Sequence, residues 1–117
     1  MSIVIYVDNF QTALDYYTCV LGLKLYGAPG ENTCFLYLGD DPNGIYLEGR
    51  YAKQVTEEKS TRLSFMLNVH SVMELYEKLK SESVPLVHKS PKKIGENSYW
   101  FQFYDPAGNM LEAVGGA

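Results

Sequence analysis

Asp41-Pro42-Asn43-Gly44-Ile45-Tyr46-Leu47-Glu48 and Asp105-Pro106-Ala107-Gly108-Asn109-Met110-Leu111-Glu112 carry one pattern twice, Asp-Pro-x-Gly and then Leu-Glu, with Glu48 and Glu112 64 residues apart. An Asp-Pro-x-Gly turn is common by itself, since Asp bonds its own backbone and Pro presets φ. The trailing Leu-Glu makes the pair informative, and the sequence upstream agrees with it. Ahead of each copy an apolar run closes on Val7 or Val69, and a capping residue, Asn9 or Ser71, opens a helical segment. The chain reads as a tandem repeat.

Each repeat can be followed outward from its turn. Ile3 to Val7 is a short β-rich run, after which Ala13, Tyr16, Tyr17, Val20 and Leu21 recur at helical spacing until Gly22 closes the helix. Leu23 to Tyr26, Cys34 to Leu38 and Ile45 to Glu48 read as strands, separated by Gly27-Ala28-Pro29-Gly30 and by the first Asp-Pro-x-Gly turn. Charges gather at Glu57, Glu58 and Lys59, marking residues from about 51 to 60 as a linker. Leu63 to Leu67 then restarts the cycle. Ser71 and Glu74 form a capping box for a helix whose stripe is Val72, Leu75, Tyr76 and Leu79. Pro85 to His88 reads as a short strand, Lys89 to Asn97 as a polar, basic loop, and Tyr99 to Tyr104 and the stretch through Val114 as the last strands. The expected fold is α+β, two tandem βαβββ modules of eight strands in all, repeat one at about 1–50 and repeat two at about 61–117.

Composition narrows the function classes. The chain has 117 residues, enough for one domain of 1–117 with a core but not for a separate ligand-binding domain. With 10 Lys and Arg against 14 Asp and Glu, its net charge of −4 disfavours nucleic acid and acidic membrane surfaces as partners. The apolar run at the N-terminus stops at Val7 and has no basic flank, so neither a signal peptide nor a membrane span is expected there, and a cytoplasmic location is. Cys19 and Cys34 form no Cys-x-x-Cys pair and read as reduced packing residues.

Alternation along a strand puts Tyr46 and Glu48 on one face and Ile45 and Leu47 on the other, and likewise separates Met110 and Glu112 from Leu111. If the leucines pack under the helices, both glutamates face away from them. The run Tyr99-Trp100-Phe101-Gln102-Phe103-Tyr104 sends aromatic rings to both faces of its strand. Part of it is core and part is free to line a ligand site. The candidate ligand-binding residues are therefore Tyr46, Glu48, Tyr99, Trp100, Phe101, Phe103, Met110 and Glu112. Aromatic walls with a few acids suit a planar or cationic small molecule. Lys89, Lys92 and Lys93 add a basic loop with a gating or anion-contacting role as its functional alternative to plain solvation.

The opening strand with Val7-Asp8-Asn9-Phe10, Ala13, Tyr16-Tyr17 and Val20-Leu21-Gly22, together with the closing Asp105-Pro106-Ala107-Gly108-Asn109 and Glu112, resembles the glyoxalase, bleomycin-resistance and dioxygenase (vicinal-oxygen-chelate) superfamily over the whole chain. That resemblance implies a curved mixed-sheet cup around a small molecule and a homodimer. It also implies, in metal-dependent members, one divalent ion held by a His or Gln near the start of each repeat's first strand and a Glu on each repeat's last. Glu48 and Glu112 match the acids, with Glu112 also the candidate catalytic group, while Ser2 and Ser64 stand at the other two positions. Serine is a poor ligand for zinc, nickel or iron, which prefer imidazole alongside carboxylate, and a divalent metal (nickel, zinc, manganese or iron) is kept as the cofactor alternative. His70 and His88 lie away from those positions. The leading expectation is a binding protein resembling the bleomycin-resistance branch, with no cofactor and no complete metal site. The alternative is a lactoylglutathione-lyase-like, metal-dependent lyase or isomerase using Glu48 and Glu112.

Overall fold

The computed structural model describes residues 2–51 and 63–117. Most of the expected linker lies outside the described residues. The chain divides into two compact units, one for each repeat. The first holds β1 (Ile3–Tyr6), α1 (Phe10–Asp15), β2 (Leu25–Tyr26), β3 (Thr33–Leu38) and β4 (Asp41–Glu48). The second holds β5 (Leu63–Ser71), α2 (Val72–Ser81), β6 (Lys92–Gly95), β7 (Ser98–Tyr104) and β8 (Met110–Gly116). Each sheet is mixed and has four strands, ordered β1-β4-β3-β2 and β5-β8-β7-β6. In both, the first strand pairs in parallel with the last, and the remaining pairs are antiparallel. This is the α+β, twice-βαβββ architecture that the repeat implied.

The caps form where the sequence places them. Asn9 Oδ1 accepts from the Thr12 N–H at 3.1 Å, and Ser71 Oγ accepts from the Glu74 N–H at 3.2 Å, each satisfying one orphan donor at a helix start. Beyond Asp15 the first helix widens into a π-helical turn, Tyr16–Val20, with Leu21 N–H donating to the Tyr16 carbonyl. The widened turn keeps Tyr16 and Tyr17 both buried, their rings edge to face at 5.2 Å.

Alternation divides each sheet cleanly. Ile5, Leu36, Ile45 and Leu47 are at most 2% exposed and form the core of the first unit with Val7, Ala13 and Tyr17. Phe101, Phe103 and Leu111 are fully buried in the second unit with Val72 and Leu79, and Tyr76 of α2 meets Phe101 edge on at 5.1 Å.

Three expectations change. Lys89 to Asn97 is not all loop: Lys92–Gly95 is β6, which pairs with Ser98, Tyr99 and Trp100 of β7. Its exposed lysines suit an edge strand, where charge discourages further pairing, and they remove the apolar signal by which strands are read. Pro85 to His88, expected as a strand, makes only the bridge Leu86 to Phe103 and flanking backbone bonds. The first Asp-Pro-x-Gly is also not the hairpin turn. That turn is Gly39-Asp40, and Asp41–Gly44 lies inside β4 as a bulge between the Leu38–Asp41 and Leu36–Ile45 pairs. Gly44 is required there, because a Cβ would collide with Leu38. Phe101→Ala is expected to destabilise the protein by about 3–5 kcal/mol through the cavity it leaves under α2, as measured by urea unfolding.

Candidate functional site

The strand ladders show which residues of the two repeats correspond. With the helix caps as reference, Val4 of β1 and Met66 of β5 are equivalent, each five residues before its cap. Val4 pairs with Tyr46, which pairs with Phe35, whereas Met66 pairs with Glu112, which pairs with Gln102. Tyr46 is therefore the ladder equivalent of Glu112. Glu48 stands one step further along, in the row Tyr6, Glu48, Thr33 that corresponds to Asn68, Val114, Trp100. The sequence alignment of Glu48 with Glu112 is displaced by two residues, because the first Asp-Pro-x-Gly lies inside β4 whereas the second is the hairpin turn between Tyr104 and Met110.

Both glutamates lie on the sheet face opposite the helix, as alternation requires. On the first unit that face carries Val4, Tyr6, Phe35, Tyr46 and Glu48. Phe35 and Tyr46 are in ring contact at 4.8 Å, and Tyr26, the register partner of Phe35, meets Tyr37 at 5.8 Å. On the second unit it carries Met66, Asn68, Trp100, Gln102, Met110, Glu112 and Val114. Of the candidate ligand-binding residues, Tyr46 and Glu48 come together on one face, and Trp100, Met110 and Glu112 on the other. Phe101 and Phe103 do not join them: both are core under α2, and Tyr99, paired with Gly115, is on their side of the strand. The aromatic run names both faces of β7 at once, and only the register against β8 tells them apart.

The two carboxylates have different surroundings. Glu48 is 4% exposed and clamped by Arg50. The Arg50 Nε donates to Oε2 at 2.9 Å, Nη2 to Oε1 at 2.6 Å, and the Arg50 backbone N–H to Oε2 at 2.9 Å, with the Tyr46 hydroxyl 3.5 Å from Oε1. These bonds to the charged form, with the guanidinium hydrogen bonds foremost, hold the Glu48 carboxyl down to about 2 and push Arg50 upward. Glu112 is half-buried and accepts from Gln102 Nε2 at 3.2 Å. Arg50 and Gln102 were both missed. Arg50 carries a signal, since it shares the strand parity of Glu48, but Gln102 is readable only from the register.

The remaining candidates are placed as follows. The Ser2 hydroxyl donates to the Asn43 carbonyl at 2.5 Å. Ser64 is half-buried at the register shift between Leu63 and Phe65. His70 is exposed on β5, and His88 lies edge-on to Trp100 at 4.9 Å while its carbonyl accepts from the Tyr76 hydroxyl. Cys34 is buried, which pushes its thiol up to about 11, and Cys19 is exposed. No helix among the described residues is long and apolar enough to cross a membrane.

The two mixed sheets, each with its crossover helix, agree with a family model that matches residues 2–113, described as the Glyoxalase/Bleomycin resistance protein/Dioxygenase superfamily. The chain belongs to this superfamily. Similar solved structures include the genomically encoded fosfomycin resistance protein FosX from Listeria monocytogenes, with TM-score 0.78 and 16% identity over 100% of this chain and 92% of that one. A glyoxalase/bleomycin resistance protein/dioxygenase from Alicyclobacillus acidocaldarius has TM-score 0.73 and 22% identity over 99% and 89%. Lactoylglutathione lyase from Agrobacterium tumefaciens has TM-score 0.71 and 20% identity over 99% and 92%. At these identities the likeness is one of fold. Among curated proteins no relative matches by sequence.

Members of the superfamily often use a metal, and the described residues of this chain do not fit one. Each repeat of this chain has a serine at the first ligand position. Repeat one has Tyr46 at the ladder position of Glu112, and both oxygens of the nearby Glu48 already accept from Arg50. Among the described residues no group of three or more His, Cys, Asp or Glu is placed to hold a metal ion. A single carboxylate with hydroxyls is a weak donor set for zinc, nickel or iron.

The depressed carboxyl of Glu48 gives a pH signature. The folded state holds this proton less tightly than the unfolded chain, so the clamp's full contribution to stability is present above the ordinary carboxyl value of 4.5 and is lost as pH falls from there toward about 2. Urea midpoints measured from about pH 6 downward should therefore fall more steeply in the native protein than in Arg50→Gln.

Proposed function

We propose that this chain is a small-molecule binding protein that works from the sheet faces opposite its helices, without a complete metal site and without covalent chemistry. The observation that carries the reading is the group of exposed apolar side chains on these faces. The strand residues on the helix side are buried, whereas Val4, Tyr6 and Tyr26 on the first face are 50%, 39% and 47% exposed and Met66 on the second is 44% exposed; Met73, Val87 and Ile94 are exposed singly elsewhere. Exposed apolar side chains gathered on one face mark a surface that something covers. Their aromatic content suits a planar ligand through stacking. Glu112, hydrogen-bonded only through the neutral Gln102 among the bonds described above, is the acid best able to meet a cationic or proton-bearing ligand group. A homodimer and a cytoplasmic location are part of this proposal. The outer edges of β1 and β5 are unpaired among the described strands, and such edges favour association with a second chain.

The lyase reading requires Glu48 to exchange Arg50 for a metal, at the expense of three hydrogen bonds. Metal analysis of the purified protein, with thermal shifts in nickel, zinc, manganese and chelator and in a panel of planar aromatic compounds, separates the two. The expected result is no stoichiometric metal, no chelator effect and stabilisation by aromatic compounds, reduced in Glu112→Ala for the cationic ones. Near-stoichiometric metal whose stabilisation disappears in both Glu48→Ala and Glu112→Ala would overturn the proposal in favour of a metal-dependent lyase.

A further inference from the structure

At ladder-equivalent positions the two repeats present opposite chemistry. Where repeat two has Glu112 beside Gln102, repeat one has Tyr46 beside Phe35, and Arg50 occupies the place that corresponds to Gly116 at the end of β8. β4 stops at Glu48, which frees Arg50 from the ladder and lets its backbone N–H donate to the Glu48 carboxylate. Gly49 makes this turn possible. Its backbone passes so close to Phe10 and Asn32 that a Cβ would lie 2.9 Å from the Phe10 Cβ and 3.1 Å from the Asn32 carbonyl oxygen. The chain is thereby held with Arg50 folded back along the face opposite α1.

The Glu48 pairing is side-on, through Nε and Nη2, so the outer edge of the planar guanidinium, with Nη1, points away from the carboxylate. The Arg50 side chain is 50% exposed even though its partner is buried. Its geometry is set in advance, which lowers the conformational entropy that a free arginine loses on binding. The Tyr46 hydroxyl lies 3.5 Å from Nη2, and the Tyr51 ring lies 5.5 Å from the guanidinium carbon. Of the two carboxylates on these strands, Asp41 lies at the hairpin end of β4, and Glu48, the one beside Arg50, is already neutralised by it.

We propose that Arg50, fixed by Glu48, is the anchor for a planar ligand bearing a carboxylate, which the guanidinium's outer edge meets while the ring of the ligand lies on Tyr6, Phe35 and Tyr46. A guanidinium edge matches a carboxylate in plane and spacing, and the bond is charge-assisted. A cationic group is disfavoured on this face, because the position next to Glu48 is occupied by Arg50. The assignment rests on the small-molecule reading above and names the ligand class for repeat one.

The test is an NMR titration of ¹⁵N-labelled protein with benzoate and, separately, benzylamine, following the Arg50 Nε–H signal and the backbone amides of both sheets. Benzoate is expected to shift Arg50, Tyr46 and Tyr6, and to bind about ten-fold more weakly to Arg50→Gln, the loss of one charge-assisted hydrogen bond. The double variant Glu48→Gln/Arg50→Gln, which leaves no lone buried charge, should show the same weakening and so guards against a folding defect of the single change. Unchanged benzoate affinity in both variants, or benzylamine binding to this face in place of benzoate, would overturn the anchor role while leaving small-molecule binding intact. If neither probe perturbs either sheet face, the small-molecule reading fails together with the anchor.

Discussion

Parallel pairing between the first and last strand of each repeat is the constraint on which the rest of this structure depends. It sets the first and second strands of each repeat parallel at opposite edges of the sheet, where no tight turn can join them; that connection must cross over, and here a helix does so along one side. That side becomes the core. Ile5, Leu36 and Leu47 in one unit, and Phe101, Phe103 and Leu111 in the other, are buried because the helices lie over them. The alternate residues of the same strands are left on the opposite face, and it is those residues, Tyr46, Glu48, Trp100 and Glu112 among them, that are free to meet a ligand.

The repeat that built two such sheets did not keep them chemically equal. Strand register places Tyr46 where its counterpart has Glu112 and sets Glu48 one step along, in contact with Arg50. A family scaffold that supports metal chemistry elsewhere is thus furnished here with a clamped ion pair on one face and a lone carboxylate with an amide partner on the other. Function follows from such differences in the site and not from the fold, which serves many chemistries.

Particular elements show how far the sequence could be read. The helices were legible from Asn9, Ser71 and their apolar stripes, since capping and periodicity are local effects. The central strands were legible by alternation. β6 was not, because an exposed edge strand of Lys92-Lys93-Ile94-Gly95 needs no apolar face and so leaves no periodic trace. The bulge at Asp41–Gly44 reads as a turn because its residues are turn residues, and Asp41 does bond the Asn43 N–H as in a turn, but within a ladder. The π-helical widening at Tyr16–Val20 left no mark in the sequence that the helical pattern did not already explain.

Sequence by itself determined the tandem repeat, the α+β class, the resemblance to the superfamily, and the side of each strand on which the two glutamates lie. These rest on local propensity and a period of two, which each residue carries with it. Tertiary structure alone decided that Phe101 and Phe103 are core while Trp100 is not, that Tyr46 and not Glu48 is the counterpart of Glu112, and that Arg50 closes on Glu48. All three depend on strand register. Register is set by pairing between residues distant in sequence, which no local pattern records.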